Sequence, residues 1–89
     1  MCNNWTIKFT KKSQKELQKL DKPIQHKIIT ELDKILLLEH PRDSGKSLTG
    51  SLSGLWRYRV SDYRIIAEIE DNVLTIVVVR VAHRKEVYD

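Results

Sequence analysis

Apolar and polar residues alternate from Trp5 to Phe9, with Trp5, Ile7 and Phe9 on one side and Thr6 and Lys8 on the other. That period predicts a half-buried strand over residues 4–9. The spacing then becomes helical. Thr10 is placed to cap a first helix over KKSQKELQKL, whose apolar content is essentially Leu17 and Leu20. Asp21-Lys22-Pro23 marks a break and a new helix start, because proline is accepted in a first helical turn. Ile24, Ile28, Leu32, Ile35 and Leu36 form one stripe, widened by Ile29 and Leu38, and predict a second helix over roughly residues 23–39. Residues 40–54 (HPRDSGKSLTGSLSG) form a long polar loop holding all three glycines, with Leu48 and Leu52 as tacks to the core. His26 falls on a solvent-facing flank of the second helix, and His40 at its end.

Period two returns after the loop. Three strands are expected, over residues 55–60, 63–70 and 73–81, joined by two-residue turns at Ser61-Asp62 and Asp71-Asn72. The first turn pairs Val60 with Tyr63, Arg59 with Arg64 and Arg57 with Ile66. The second pairs Glu70 with Val73, Ile66 with Val77 and Arg64 with Val79. One face then carries Trp56, Tyr58, Val60, Tyr63, Ile65, Ala67, Ile69, Leu74, Ile76 and Val78, and needs a cover. The other carries Arg57, Arg59, Arg64, Glu68, Glu70, Val79 and Val81, with His83 if the strand continues. The fold class that follows is α+β: one small domain over residues 1–89, in the order β-α-α-β-β-β, with an antiparallel sheet and a two-helix hairpin packed on one face.

Composition narrows the function. At 89 residues, 40% hydrophobic and 31% charged, the chain has the make-up of one ordinary globular domain. No apolar run is long enough for a membrane span, and MCNNWTIKF has no hydrophobic signal core, so neither a membrane partner nor export is expected. The single cysteine, Cys2, has no internal disulfide partner, which points to a reducing cytoplasm. The net charge of +4 fits a nucleic acid or an acidic protein. No zinc spacing, GxGxxG, P-loop or Ser/His/Asp constellation stands out, and no metal or cofactor is expected.

The arginines remain. Like charges opposite one another on a sheet cost stability, so Arg59 facing Arg64 is odd unless an anion sits between them. A guanidinium offers a planar fork that matches phosphate oxygens. His83, Arg84 and Tyr88 follow the last strand and add a titratable group, a cation and an aromatic ring. Together these suit binding and cleavage of an RNA phosphodiester by its own 2′-OH. The plainer reading is a solvated sheet face, with Tyr88 packed on an edge and His83 closing a strand. The first helix carries the same choice: Lys11, Lys12, Lys15 and Lys19 form either a solvated face or a phosphate-contacting one.

The segments KSLTGSLSGLWRYRVSDYRIIAEI and VVVRVAHRKEVY resemble the RelE family of the RelE/ParE toxin superfamily, from Trp5 to Tyr88. The resemblance implies a cytoplasmic toxin of a type II toxin–antitoxin pair. It would cut mRNA in the ribosomal A site and be neutralised by a cognate antitoxin, through which alone it would meet DNA. It also implies site residues. The basic pair of the second strand corresponds to Arg57 and Arg59, the arginine of the third to Arg64, the pair after the last strand to His83 and Arg84, and the terminal tyrosine to Tyr88. In RelE the second-strand pair is lysine. Arginine does not deprotonate, so neither Arg57 nor Arg59 is a general base. Charge stabilisation then falls to Arg57, Arg59, Arg64 and Arg84, proton transfer to His83, base stacking or orientation to Tyr88, and a looser RNA contact to Lys46. The general base stays open; Glu86 is near in sequence. The same fold also serves ParE-like toxins, which inhibit DNA gyrase without chemistry, and an inactive relative would act only with its antitoxin in DNA-binding autoregulation.

Overall fold

Thr10 ends the first strand and starts the first helix: its hydroxyl accepts the Ser13 backbone N–H at 3.2 Å, the N-cap bond that an orphan helical donor needs. The computed structural model describes residues 5–86. Its elements are β1 (Thr6–Phe9), α1 (Lys11–Gln18), α2 (Lys22–Leu36), β2 (Lys46–Ser47), β3 (Trp56–Val60), β4 (Tyr63–Glu70) and β5 (Thr75–His83). Short 3-10 turns occupy Pro41–Asp43, Gly50–Leu52, Asp71–Val73 and Arg84–Glu86.

The strands form one sheet in the order β1-β5-β4-β3-β2. The α+β architecture and the helix hairpin are as expected from the sequence. The sheet, however, is mixed, because β1 runs parallel to β5 while every other pair is antiparallel. The long loop also contributes the two-residue strand β2 at the far edge. Ile28, Leu32 and Ile35 of α2 and Leu17 of α1 cover Tyr58, Val60, Ile65, Ala67, Ile76, Val78 and Val81, with Trp5, Ile7 and Phe9 packed alongside. Burying each such aliphatic side chain is worth about 1.5–3 kcal/mol, so α2 holds its place by its stripe.

β1 stops at Phe9, which leaves the next stretch of β5 without a strand partner on that side. Side chains of α1 take over. The Ser13 hydroxyl donates to the Val78 carbonyl at 2.6 Å, and the Glu16 carboxylate accepts the Val81 backbone N–H at 2.8 Å. These bonds tie helix to sheet where the ladder ends.

The β3–β4 register agrees with expectation: Val60 faces Tyr63, Arg59 faces Arg64 and Arg57 faces Ile66. The β4–β5 register does not. The expected two-residue turn is a 3-10 turn at Asp71–Val73 closed by Leu74 in the left-handed region (φ 48°), so Glu70 faces Thr75 and not Val73. A bulge then adds one more residue, since Ala67 faces Val78 while Ile66 faces Arg80. Beyond the bulge the register is displaced by three residues in all, and an odd displacement exchanges the faces. Val81 therefore lies in the core, His83 faces Tyr63, and Arg64 faces Ala82. Leu74, expected on the apolar face, is in the turn and partly exposed.

Candidate nucleic-acid interface

Residues directly opposite one another share a face, so the corrected register lays the cations out in rows. One row crosses four strands as Lys46, Arg57, Ile66 and Arg80. The next row, nearer the Ser61-Asp62 turn, is Arg59, Arg64 and Ala82. Arg59 and Lys46 are exposed, whereas Arg57 and Arg64 are only 7% and 8% exposed. Guanidinium groups are seldom buried to that degree. A cleft of about 220 Å³ opens along this face, lined by Ser44, Gly45, Lys46, Arg57 and Arg59.

The loop that delivers Lys46 is stitched to β3. The Trp56 indole N–H donates to the Ser44 carbonyl at 2.7 Å, and the Tyr58 hydroxyl donates to the Pro41 carbonyl at 2.8 Å. Gly45 sits between them at φ 79°, and a Cβ there would collide with the Arg57 carbonyl oxygen and come within 2.6 Å of Trp56 Nε1. Only glycine allows both that conformation and that approach. Burial pushes the Tyr58 hydroxyl up to about 12, partly offset by the Arg42 charge. Tyr58 is thus a fixed donor and not a proton carrier at neutral pH.

The residues after β5 gather at the same turn. The Arg84 backbone N–H donates to the Asp62 carbonyl at 2.8 Å, and its guanidinium lies 4.0 Å from the Asp62 carboxylate. The His83 ring meets Tyr63 edge-on at 5.4 Å, and its Nδ1 accepts the Lys85 backbone N–H at 3.2 Å. That bond assigns the proton of the neutral ring to Nε2. Contrary to expectation, His83 does not share the arginine face; the bulge turns it to the face of Tyr63. Tyr88 lies outside the described residues. Among the described residues no group of three or more His, Cys, Asp or Glu could hold a metal, and no helix is long and apolar enough to cross a membrane.

The family model for the ParE toxin of type II toxin–antitoxin systems matches residues 7–88. Toxin RelG of Mycobacterium tuberculosis is 32% identical over 84 residues, spanning 94% of this chain and 95% of the relative. The chain belongs to the RelE/ParE toxin superfamily. A chain of the M. tuberculosis RelBE2 toxin–antitoxin complex superposes with a TM-score of 0.76 at 30% identity, covering 90% of this chain and 98% of that one. An archaeal RelE–RelB complex from Pyrococcus horikoshii OT3 gives 0.70 at 25% identity, covering 93% and 98%. This is accordingly a type II toxin of the RelE/ParE kind.

Sequence reasoning about this toxin missed Arg80, which the true register brings into the row of Lys46 and Arg57. Its Nε lies 3.0 Å from the Glu16 carboxylate, so Arg80 is tied to α1. It also missed Glu16 and Gly45. The unbroken valine run 77–79 hides the parity change, because every residue in it fits either face. One signal was available: apolar Val78 and Val81 flank the pair Val79-Arg80, which is the spacing of a bulge and not of a straight strand.

Proposed function

We propose that this toxin is a ribosome-dependent mRNA endoribonuclease, active in the cytoplasm and held in check by a cognate antitoxin. The observation that carries the reading is the pair of adjacent cationic rows, with Arg59 directly opposite Arg64 and Arg57 directly opposite Lys46. Like charges directly opposite one another on a sheet cost stability, and an anion held between them offsets that cost. A phosphodiester passing along it would meet guanidinium forks suited to the charge that builds on the phosphate as the 2′-hydroxyl gives its proton to a base and bonds to phosphorus and the 5′-oxygen departs. The solved relatives described as toxin–antitoxin complexes support the antitoxin partner.

Arg57, Arg59 and Arg64 are assigned charge stabilisation, and Arg84 joins them from the Ser61-Asp62 turn. Lys46 extends the RNA contact, and Tyr88 is assigned base stacking or orientation. The departing 5′-oxygen needs a proton, and His83, once protonated to the imidazolium, is the assigned donor; the neutral ring whose Nδ1 accepts from Lys85 is not itself the acid. Because His83 lies on the face of Tyr63, this role requires the RNA to pass the end of the sheet beside Asp62 and Arg84. The family model's own description, ParE, supports a second reading, gyrase inhibition without chemistry.

The test maps 5′ ends of a defined mRNA in a cell-free translation reaction, with and without ribosomes. Wild type should cut at A-site codons only when ribosomes are present. Arg64→Ala should stay folded and cut at least about a hundredfold more slowly. His83→Gln should slow single-turnover cleavage with ribosome binding retained; unchanged cleavage would reduce His83 to packing on Tyr63. An intact message with folded wild type would discard the ribonuclease reading and send the toxin to a supercoiling assay.

A further inference from the structure

Strand β2 covers β3 only in part. It pairs Lys46 with Arg57 and Ser47 with Trp56, and among the described residues no strand lies along the outer edge of Tyr58, Arg59 and Val60. A second cleft, of about 240 Å³, opens along that edge. Ile35 and Leu38 from the end of α2 form one apolar wall, and Tyr58 and Val60 form the other. Successive strand side chains alternate, so Arg59 between them belongs to the cationic face. Arg59 and Ser44 line this cleft and also the one along the arginine rows, so the two share a border. Asp43 brings a carboxylate to the same cleft from a backbone held on both sides. Its own N–H donates to the His40 carbonyl at 2.9 Å, and the carbonyls of Pro41 and Ser44 accept from Tyr58 and Trp56. The nearby cations are engaged elsewhere: Arg42 grips Asp71, and Lys34 pairs with Glu31 at 3.0 Å. Among the described residues no cation pairs with the Asp43 carboxylate, which leaves an exposed acceptor beside an apolar slot.

We propose that this cleft is a nucleobase subsite: a base of the single-stranded message lies between the apolar walls while its phosphate rests on the arginine rows, and the Asp43 carboxylate selects bases that carry an exocyclic amine. Base selection of this kind rests on the RNA reading above and deepens it. A splayed-out nucleotide presents an anionic phosphate, a flat apolar face and a hydrogen-bonding edge. The two clefts offer a partner for each in the same order, as guanidinium forks, aliphatic walls and a carboxylate. An ionised carboxylate only accepts hydrogen bonds. The amines at cytosine N4 and adenine N6 can donate to it. Uracil has no amine, and carbonyl oxygens on both sides of its one edge N–H oppose the charge.

The probes are the 5′-monophosphates of cytidine, adenosine and uridine, with ribose 5-phosphate as the probe that lacks a base. Each is titrated into the protein and followed by methyl NMR at Ile35, Leu38 and Val60. Cytidine and adenosine monophosphates should move these methyls to saturation and bind at least about fivefold more tightly than uridine monophosphate. Ribose 5-phosphate should leave the methyls where they are. Asp43→Asn presents a donor as well as an acceptor, so it should bind the three nucleotides within about twofold of one another, with its methyl spectrum otherwise that of wild type. Equal affinity of wild type for cytidine and uridine monophosphates would overturn the proposal. So would methyls that no nucleotide moves, or a preference that survives in Asp43→Asn. Because the readout needs neither ribosomes nor cleavage, the two readings fail separately. Base selection through Asp43 with no message cut removes the ribonuclease and keeps the subsite. A cut message with no selection among the nucleotides does the reverse.

Discussion

Two hairpins share β4 and are built on opposite principles. The β3–β4 hairpin turns in two residues, Ser61-Asp62, and its register follows from its turn. Ser61 accepts φ 56° there. The β4–β5 hairpin turns through a 3-10 segment, bulges once, and depends on groups outside itself. Glu16 of α1 holds the bulged strand, and Arg42 from the long loop grips Asp71 in the turn with two hydrogen bonds of 2.8 and 3.1 Å. The first hairpin places Arg57, Arg59 and Arg64. The second decides what arrives beside them: Arg80 enters the cationic face and His83 leaves it. Local turn chemistry thus sets the part of the site that binds charge. Tertiary contacts set the part assigned to proton transfer.

The largest expected effect falls on the outer edge of the first hairpin. Gly45→Ala forces a Cβ into the left-handed region and against the Arg57 carbonyl. Backbone strain and overpacking together should cost about 2–4 kcal/mol, read as a lower melting temperature. Since the same loop presents Lys46, the proposed RNA contact should weaken even in the fraction that stays folded. An alanine variant as stable as wild type would show that the loop is not anchored through Trp56 and Tyr58.

A smaller loss is expected from the support of the second hairpin. Glu16→Ala leaves the Val81 N–H without its acceptor in a strand whose Val81 side chain is 3% exposed, a cost of about 1–3 kcal/mol. Glu16→Gln keeps an acceptor and loses the charge pairing with Arg80, a partly exposed pair worth about 0–1 kcal/mol. Amide exchange at Val81 separates the two: it should accelerate strongly in the alanine variant and little in the glutamine variant. Acceleration in neither would mean that the bulge holds without α1.

The difference between the hairpins also explains what was legible. The α+β order, Thr10 as a cap, the α2 stripe and the first register all rest on local patterns, and all were readable. So were Arg57, Arg59 and Arg64 as neighbours on one face. The second register was misread because Asp71-Asn72 looks like a complete turn, while Leu74 in a left-handed conformation defies its own propensity. The bulge left only the spacing of Val78 and Val81 as a local sign, and the residue that supports it, Glu16, is 65 positions away from Val81. The strand β1 was read, but its parallel pairing with β5 was missed for a related reason: that pairing depends on the whole chain's path, and no turn announces it.

The smallest effect concerns the grip on the second turn. Hydrogen bonding from Arg42 holds the Asp71 carboxyl below its ordinary value, and both side chains are largely exposed. A depressed carboxylate contributes stability that is fully present above its unfolded pKa and is lost as pH falls through the folded one. Asp71→Asn should therefore lower the melting temperature slightly at pH 7, and the gap to wild type should close as the buffer is taken below the carboxylate range. Asparagine retains one oxygen for Arg42, so a gap that persists in acid would assign the grip to hydrogen-bond geometry and not to charge. No gap at any pH would mean that the turn holds its 3-10 form through Leu74 and the Thr75 hydroxyl, which donates to the Val73 carbonyl at 2.9 Å. In that case the displaced register that moves His83 would be a property of the turn residues after all, and the two hairpins would differ in sequence and not in principle.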